Sequence, residues 1–267
     1  MTGLFAAAVA SMVDRRLRTA EAVTSETGLA CLAAIPAAGD WNGLTRREAS
    51  EMDNLVAYQP ASAFASAIAN LRTSIKLACP PDPGTDNHII AFVSWTPDAG
   101  CSLIAMNLAR LTQRMGRQVT VIDADIHGAR RTLAGIEPLA ASSLVGVLTS
   151  NTPVNAISFV DLDGVALLPA RSHDAPDGAY VDFGERKVGR LLELVRVRGD
   201  VLVDLPPMED CADAGAIARH ADAVVVVVAA GRSTIDEVTQ ATRALRAVGA
   251  NVIGAVLNGT AARGRAG

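Results

Sequence analysis

The chain has 267 residues and a formal net charge of -4, with 50% hydrophobic residues but only 3% aromatics. That length supports one large α/β domain or two small ones, and so few aromatics leave Ala, Val, Leu and Ile to build the core, as in many parallel sheets. An acidic balance without a basic stripe argues for no nucleic-acid partner, and cysteines at 31, 79, 101 and 211 lack metal or redox spacing, so a reducing compartment without disulfides is expected.

Residues 1–25 read as helix, amphipathic after Asp14. The apolar run from Met1 to Val13 is shorter than the roughly 20 residues that span a bilayer, and it lacks the basic flank of a signal peptide. Two readings stay open: a buried helix, or the cytoplasmic end of a transmembrane helix that starts outside the chain. Arg15, Arg16 and Arg18 suit either an anionic membrane face, at roughly 1 kcal/mol per basic residue, or a solvated helix face. Residues 28–36 predict a short strand stopped by Pro36, and residues 37–59 a polar loop with some helix. Residues 61–78 predict one alanine-rich helix, broken by Cys79-Pro80-Pro81-Asp82-Pro83-Gly84.

From His88 onward apolar runs alternate with helical stretches. Strands are expected at 88–94, 118–123, 164–168, 200–204, 222–229 and 251–257, and helices at 102–115, 139–149, 183–197, 211–219 and 233–247. The run at 222–229 is continuously apolar after its first residue, as a strand buried on both faces is. Strands alternating with helices predict right-handed crossovers and an α/β fold: a doubly wound, mostly parallel sheet with helices on both faces.

The sharpest feature is the loop Trp95-Thr96-Pro97-Asp98-Ala99-Gly100-Cys101-Ser102 between the strand at 88–94 and the helix at 102–115. Strand, loop and helix in that order are the setting of a phosphate-binding loop, whose backbone N–H groups and helix N-terminus receive an anion. Gly100 and Ser102 stand where the last glycine and the magnesium-binding hydroxyl belong, but Cys101 stands where a lysine should. A thiol cannot supply the lysine's point charge, and a charge-assisted contact is worth on the order of 1.5–3 kcal/mol. At a helix N-terminus the thiol is expected to have a lowered pKa, and a thiolate there would repel phosphate. The alternative is that Cys101 is inert and the loop only a tight turn.

Val119 to Asp125 ends a strand with two carboxylates two residues apart. Strand alternation places Asp123 and Asp125 on one side of the sheet's carboxyl edge, where one can position a water or hydroxyl and the other bind magnesium through water. Asp200 to Pro207 is an apolar strand ending in Asp204, the form of a second magnesium-side strand. Asn258, ending the last strand, is a candidate for reading a base edge through its amide.

The order of these motifs resembles the cytoplasmic ATPase/tyrosine-kinase domain of bacterial exopolysaccharide co-polymerases, the BY-kinase family, a deviant P-loop group related to MinD/ParA. The resemblance covers nearly the whole chain: 12–19 with 28–36, Leu71 to Ile75, Ile122 to Asp125, Val201 to Pro207, and Ala221 through Asn258. It implies a division into a juxtamembrane helix and strand (1–40), a pre-loop helical segment and linker (41–87) and a P-loop NTPase-like domain (88–267). It implies ATP/ADP and magnesium as cofactors, with Pro97, Asp98, Ala99, Gly100, Cys101, Ser102 and Asn258 on the nucleotide. Ser102, Asp123 and Asp204 would hold the metal, and Asp123, Asp125 and Asp204 would be catalytic if the domain is active. It implies partners in a membrane-spanning chain-length determinant, on the same or a separate chain, and in the polymerase and export machinery at the cytoplasmic face of the inner membrane. It also implies a homo-oligomer with Arg72 as a contact.

The departures are as specific as the matches. The family loop ends Gly-Lys-Ser/Thr, with glycine usually following the loop proline, and here Cys101 and Asp98 stand at those places. The arginine after the family's Asp-x-Asp is His127, and the oligomerisation pattern aligned on Arg72 has Ser66 and Ala69. The tyrosine-rich tail is missing, the chain's two tyrosines being Tyr58 and Tyr180. The leading expectation is therefore a regulatory pseudo-kinase with weak or no ATP hydrolysis. The alternatives are an active ATPase or kinase with a substitute cation, for which Lys76, Arg110 and Arg114 are candidates, and a MinD/ParA-like positioning ATPase, which the missing lysine disfavours.

Overall fold

The structure, a computed structural model, describes residues 15–38, 52–80, 84–126, 142–150, 156–171, 186–209 and 211–261. Its strands are β1 (Cys31–Pro36), β2 (Ile89–Val93), β3 (Val119–Asp123), β4 (Val160–Leu162), β5 (Val165–Leu168), β6 (Asp200–Asp204), β7 (Ala223–Ala229) and β8 (Val252–Thr260). They form one 8-stranded sheet in the order β1-β8-β7-β2-β6-β3-β5-β4. Every pairing is parallel except β4 with β5, a short hairpin at the edge that the sequence pattern did not predict.

The helices are α1 (Ala20–Thr27), α2 (Leu55–Tyr58), α3 (Ala63–Ala78), α4 (Cys101–Arg114), α5 (Leu144–Thr149), α6 (Arg186–Arg196), α7 (Asp213–Ala218) and α8 (Ile235–Ala247). Strand alternation sorts the core into two layers. On β2, Ile89, Ala91 and Val93 join the residues of α1 and α5–α8, whereas Ile90 and Phe92 face those of α2, α3 and α4. On β7, Val224, Val226 and Val228 take the first side, and Val225 and Val227 the second. All seven β7 residues are buried, as a strand covered on both faces requires.

Local chemistry fixes several helix starts. Ser62 caps α3 by accepting from Ala65 N–H, and Thr234 with Glu237 forms a reciprocal capping box on α8. The expected helix from residue 15 begins five residues later, because Thr19 caps α1 and the residues before it are extended. Leu17 N–H donates to Ser233 O, Gly231 N–H donates to Leu17 O, and the Leu17 side chain is buried. Arg15 pairs with Asp236 at 2.6 Å. The basic cluster thus lies on a strap along the β7–α8 turn and not on a helix face. The expected helix over residues 1–14 lies outside the described residues, as do the first parts of those expected at 139–149 and 183–197. Among the described residues, no helix is long and apolar enough to cross a membrane.

Candidate nucleotide-binding site

The parallel sheet delivers the ends of β2, β3, β6, β7 and β8 to one edge, the position at which open α/β sheets bind ligands. The loop after β2 turns into α4 at Gly100, whose φ of 100° and ψ of 24° form the helix N-cap. Asp98 also lies in the left-handed region, at φ 60°. This explains why a glycine suits that place: glycine adopts the conformation freely, and aspartate is among the few other residues that tolerate it. Pro97 and Asp98 are exposed, Ala99 is buried, and Gly100 and Ser102 are partly buried.

Cys101 is buried. Burial and the nearby Asp204 carboxylate push its thiol far above the ordinary cysteine value, outweighing a hydrogen bond with Ser94. The expectation of a thiolate at the helix N-terminus is overturned: the desolvation cost of a buried sulfur anion exceeds what the helix end returns. Position 101 therefore contributes a neutral side chain.

Asp204 and Asp123 are buried register partners on β6 and β3. Ala124 N–H donates to Asp204 O, and Asp125 N–H donates to the Asp123 carboxylate at 3.0 Å. That second bond is a local turn, so Asp125 reaches the edge from beyond the end of the strand rather than by alternation along it. Burial pushes the Asp204 carboxyl up. The Ser102 hydroxyl donates to it and pulls it down, and the carboxylates of Asp125 and Asp53 push it up again.

Asn258 turns back toward the loop, its side-chain amide donating to Ala99 O at 2.8 Å. Arg232, in the turn after β7, donates to Asp98 O at 3.2 Å. Neither Arg232 nor Asp53 belongs to a motif in the sequence. Arg232 was findable, since a strand at the sheet's centre must deliver its following residues beside the loop. Asp53 lies in a stretch read as polar loop and carried no periodic signal.

The three proposed substitute cations lie elsewhere. Lys76 and Arg72 line a small cavity with His88, Thr112 and Asp200, at the opposite, amino-terminal edge of the sheet. Arg110 is committed to Leu162 O on β4, with Asp163 at 3.9 Å. Arg114 ends α4, about 20 Å along the helix axis from Cys101.

No family model matches the chain. The succinoglycan biosynthesis transport protein ExoP of Rhizobium meliloti is 32% identical over 214 residues, covering 78% of this chain and 26% of that protein. The kinase domain of the Escherichia coli tyrosine kinase ETK superposes with a TM-score of 0.74 at 25% identity, covering 91% of this chain and 94% of that domain. The homologues of this chain are the kinase domains of the BY-kinase family. The septum site-determining protein MinD of Pyrococcus horikoshii, solved with Mg-ADP, shares the fold at a TM-score of 0.53 and 21% identity, covering 64% of this chain and 70% of that one. The chain spans about a quarter to a third of the length of the curated relatives it matches. Another structure of the same fold, the cobyrinic acid a,c-diamide synthase of Mycobacterium smegmatis, was solved with an ATP analogue and magnesium, at a TM-score of 0.52 and 20% identity, covering 64% of this chain and 72% of that one.

The donor set here fits magnesium. A hydroxyl and a carboxylate already in contact, Ser102 and Asp204, stand beside Asp123, and magnesium ordinarily takes one or two carboxylates with the remainder from phosphate and water. Among the described residues no three His, Cys, Asp or Glu side chains converge as a complete metal cage, so such an ion would depend on the nucleotide's own oxygens. For phosphate the fit is partial: the loop and helix end are in place, and the lysine is absent.

Proposed function

We propose that this chain is a regulatory BY-kinase-like module of an exopolysaccharide chain-length and export system, working at the cytoplasmic face of the inner membrane. It binds nucleotide weakly and transfers phosphoryl groups slowly or not at all. Its partner is a membrane-spanning chain-length determinant, on the same or a separate chain, and through it the polymerase and export machinery.

The observation that carries this reading is the neutral, buried Cys101 at the lysine position. Phosphoryl transfer depends almost wholly on positioning and on charge placed against the transferring group. In this site the carboxyl groups of Asp125 and Asp53 lie near Asp204, the register partner of Asp123, and position 101 sets no positive charge against a polyphosphate. The chain keeps what holds a nucleotide in place, namely the loop, Ser102 and the Asp123–Asp204 pair. It lacks the group that lowers the barrier.

In such a module Ser102 and Asp204 orient the metal side, Asp123 holds the strand end against Asp125, and the helix N-terminus receives the phosphates. Nucleotide occupancy then acts as a binding signal rather than as a step of turnover. The test is ATP turnover and phosphate transfer to protein for the wild type and Cys101→Lys. The reading expects turnover near background in the wild type and a gain in the variant. Turnover in the wild type that is lost in Asp204→Ala would overturn it.

A further inference from the structure

Two side chains from distant parts of the sequence grip consecutive peptides of the phosphate loop. Arg232 donates to the Asp98 carbonyl at 3.2 Å and Asn258 to the Ala99 carbonyl at 2.8 Å. A trans peptide is planar, with its C=O and N–H pointing in opposite directions. Holding those two carbonyls toward β7 and β8 therefore turns the N–H groups of Ala99 and Gly100 the other way, toward the concave side of the loop. The backbone handedness agrees, since Asp98 and Gly100 are both left-handed with Ala99 between them. Consecutive N–H groups gathered by such changes of hand form an anion-receiving concavity.

The two grips are themselves joined. Ala230 N–H donates to Asn258 O at 2.8 Å, and Ser233 closes the turn by donating its N–H to Ala229 O while its hydroxyl accepts from Ala229 N–H. Arg232 thus projects from a turn with a fixed backbone. Its side chain is exposed, and its one hydrogen bond among the described residues is to Asp98 O, which leaves guanidinium donors to spare.

We propose that Arg232 is a positioning residue for the phosphates of a nucleoside di- or triphosphate. It locks the Asp98–Ala99 peptide with its N–H inward, and it supplies at the loop's rim the fixed positive charge that position 101 does not. The proposal rests on the reading that this loop still receives nucleotide. Arginine suits the task because it stays charged and can hold a carbonyl with one N–H while others face the ligand.

The experiment is titration calorimetry of MgADP and of inorganic pyrophosphate on the full chain. The proteins are the wild type, Arg232→Ala, Arg232→Lys, Cys101→Lys and the double variant Arg232→Ala/Cys101→Lys. The amide signals of Ala99 and Gly100 are followed by NMR in parallel. Arg232→Ala is expected to weaken both ligands by about tenfold or more, the loss of one charge-assisted contact. Arg232→Lys should recover part of that affinity, and a lysine at 101 should recover it in the Arg232→Ala background. The Ala99 and Gly100 amides should shift with pyrophosphate in the wild type and less in Arg232→Ala. Unchanged MgADP affinity in Arg232→Ala would overturn the proposal and leave nucleotide binding intact. A wild type that binds neither ligand while Cys101→Lys binds would also overturn it, and would leave the regulatory reading standing. Binding by neither protein would remove the nucleotide reading and this proposal with it.

Discussion

The amide nitrogen of Asn258 occupies the space into which a Cβ on Gly100 would project, while it also holds the Ala99 carbonyl. The last strand and the loop after β2 are therefore fitted to each other across more than 150 residues of sequence. Gly100→Ala should suffer twice, from a left-handed backbone worth about 1–2 kcal/mol and from contact with Asn258. Asn258→Ala alone should cost about 1 kcal/mol through the lost hydrogen bond. In urea unfolding the double variant should be less unstable than the sum of the singles, by about 1 kcal/mol. Additivity within about 0.3 kcal/mol would show that the two residues do not compete for that space. Adenine over guanine preference should be unchanged in Asn258→Ala if its amide serves the loop rather than a base.

Cys101 should be the least reactive of the four thiols. Its pKa is driven up by burial and by Asp204, whereas Cys31, Cys79 and Cys211 are only partly buried. Thiolate fraction and access both control alkylation. Iodoacetamide at pH 8, read by peptide mass spectrometry, should label Cys101 more slowly than the other three, and at a comparable rate once urea unfolds the chain. Early labelling of Cys101 in the native state would mean that the sulfur is ionised or exposed, and that position 101 is not a neutral, buried side chain.

How much of this was legible in the sequence depends on which force decided each feature. The β2, β3, β6, β7 and β8 strands were readable because burial on both faces writes continuous apolar runs, and α3, α4 and α8 because their apolar residues recur at helical spacing. The β4 strand was not: Val160 to Leu162 has three residues, none fully buried, and its partner rather than its composition makes it a strand. The strap before α1 reads as helix from its local pattern but is extended, because Leu17 is anchored by backbone bonds to residues 231 and 233, which no local pattern encodes. Asp123, Asp204 and Ser102 were legible because sheet topology brings strand ends together. The state of Cys101 was not, because a helix end and a buried neighbouring carboxylate push a thiol in opposite directions, and depth of burial decides.

Asn107, on α4, is wholly buried and holds the segment before α2. Its carbonyl oxygen accepts from Val56 N–H at 3.1 Å, and its amide donates to Met52 O at 3.0 Å and to Leu103 O at 2.9 Å. Asn107→Ala would strand a buried donor and a buried acceptor, at about 1–3 kcal/mol each before relaxation. Asn107→Leu removes the same bonds while refilling volume, so the polar loss can be separated from the cavity. Both variants should lose about 2 kcal/mol or more in chemical denaturation, and hydrogen exchange at Val56 should quicken. A loss confined to Asn107→Ala would assign the effect to packing instead.

The segment that Asn107 holds carries Asp53, whose carboxyl is pushed up from an ordinary 3.8 to about 7 by burial, against an attraction from Arg110. Once ionised, it in turn helps raise Asp204. A carboxyl whose pKa is higher folded than unfolded keeps its proton in the native state through a window in which the unfolded chain has released it. Here that window runs from about pH 4 to about pH 7, and across it the native state binds more protons, so stability falls as pH rises. A rise of that size is worth at most about 4 kcal/mol, and partial exposure of Asp53 lowers the figure. Asp53→Asn should therefore be more stable than wild type at pH 8, by about 2 kcal/mol, with the gap closing as pH falls toward 4. Urea midpoints between pH 4 and 8 measure this directly. A gap that stayed constant with pH, or that favoured wild type at pH 8, would show that Asp53 is ionised in the native state and paired with Arg110. In that case the carboxylate crowding around Asp204 would be relieved by Arg110 rather than by a retained proton.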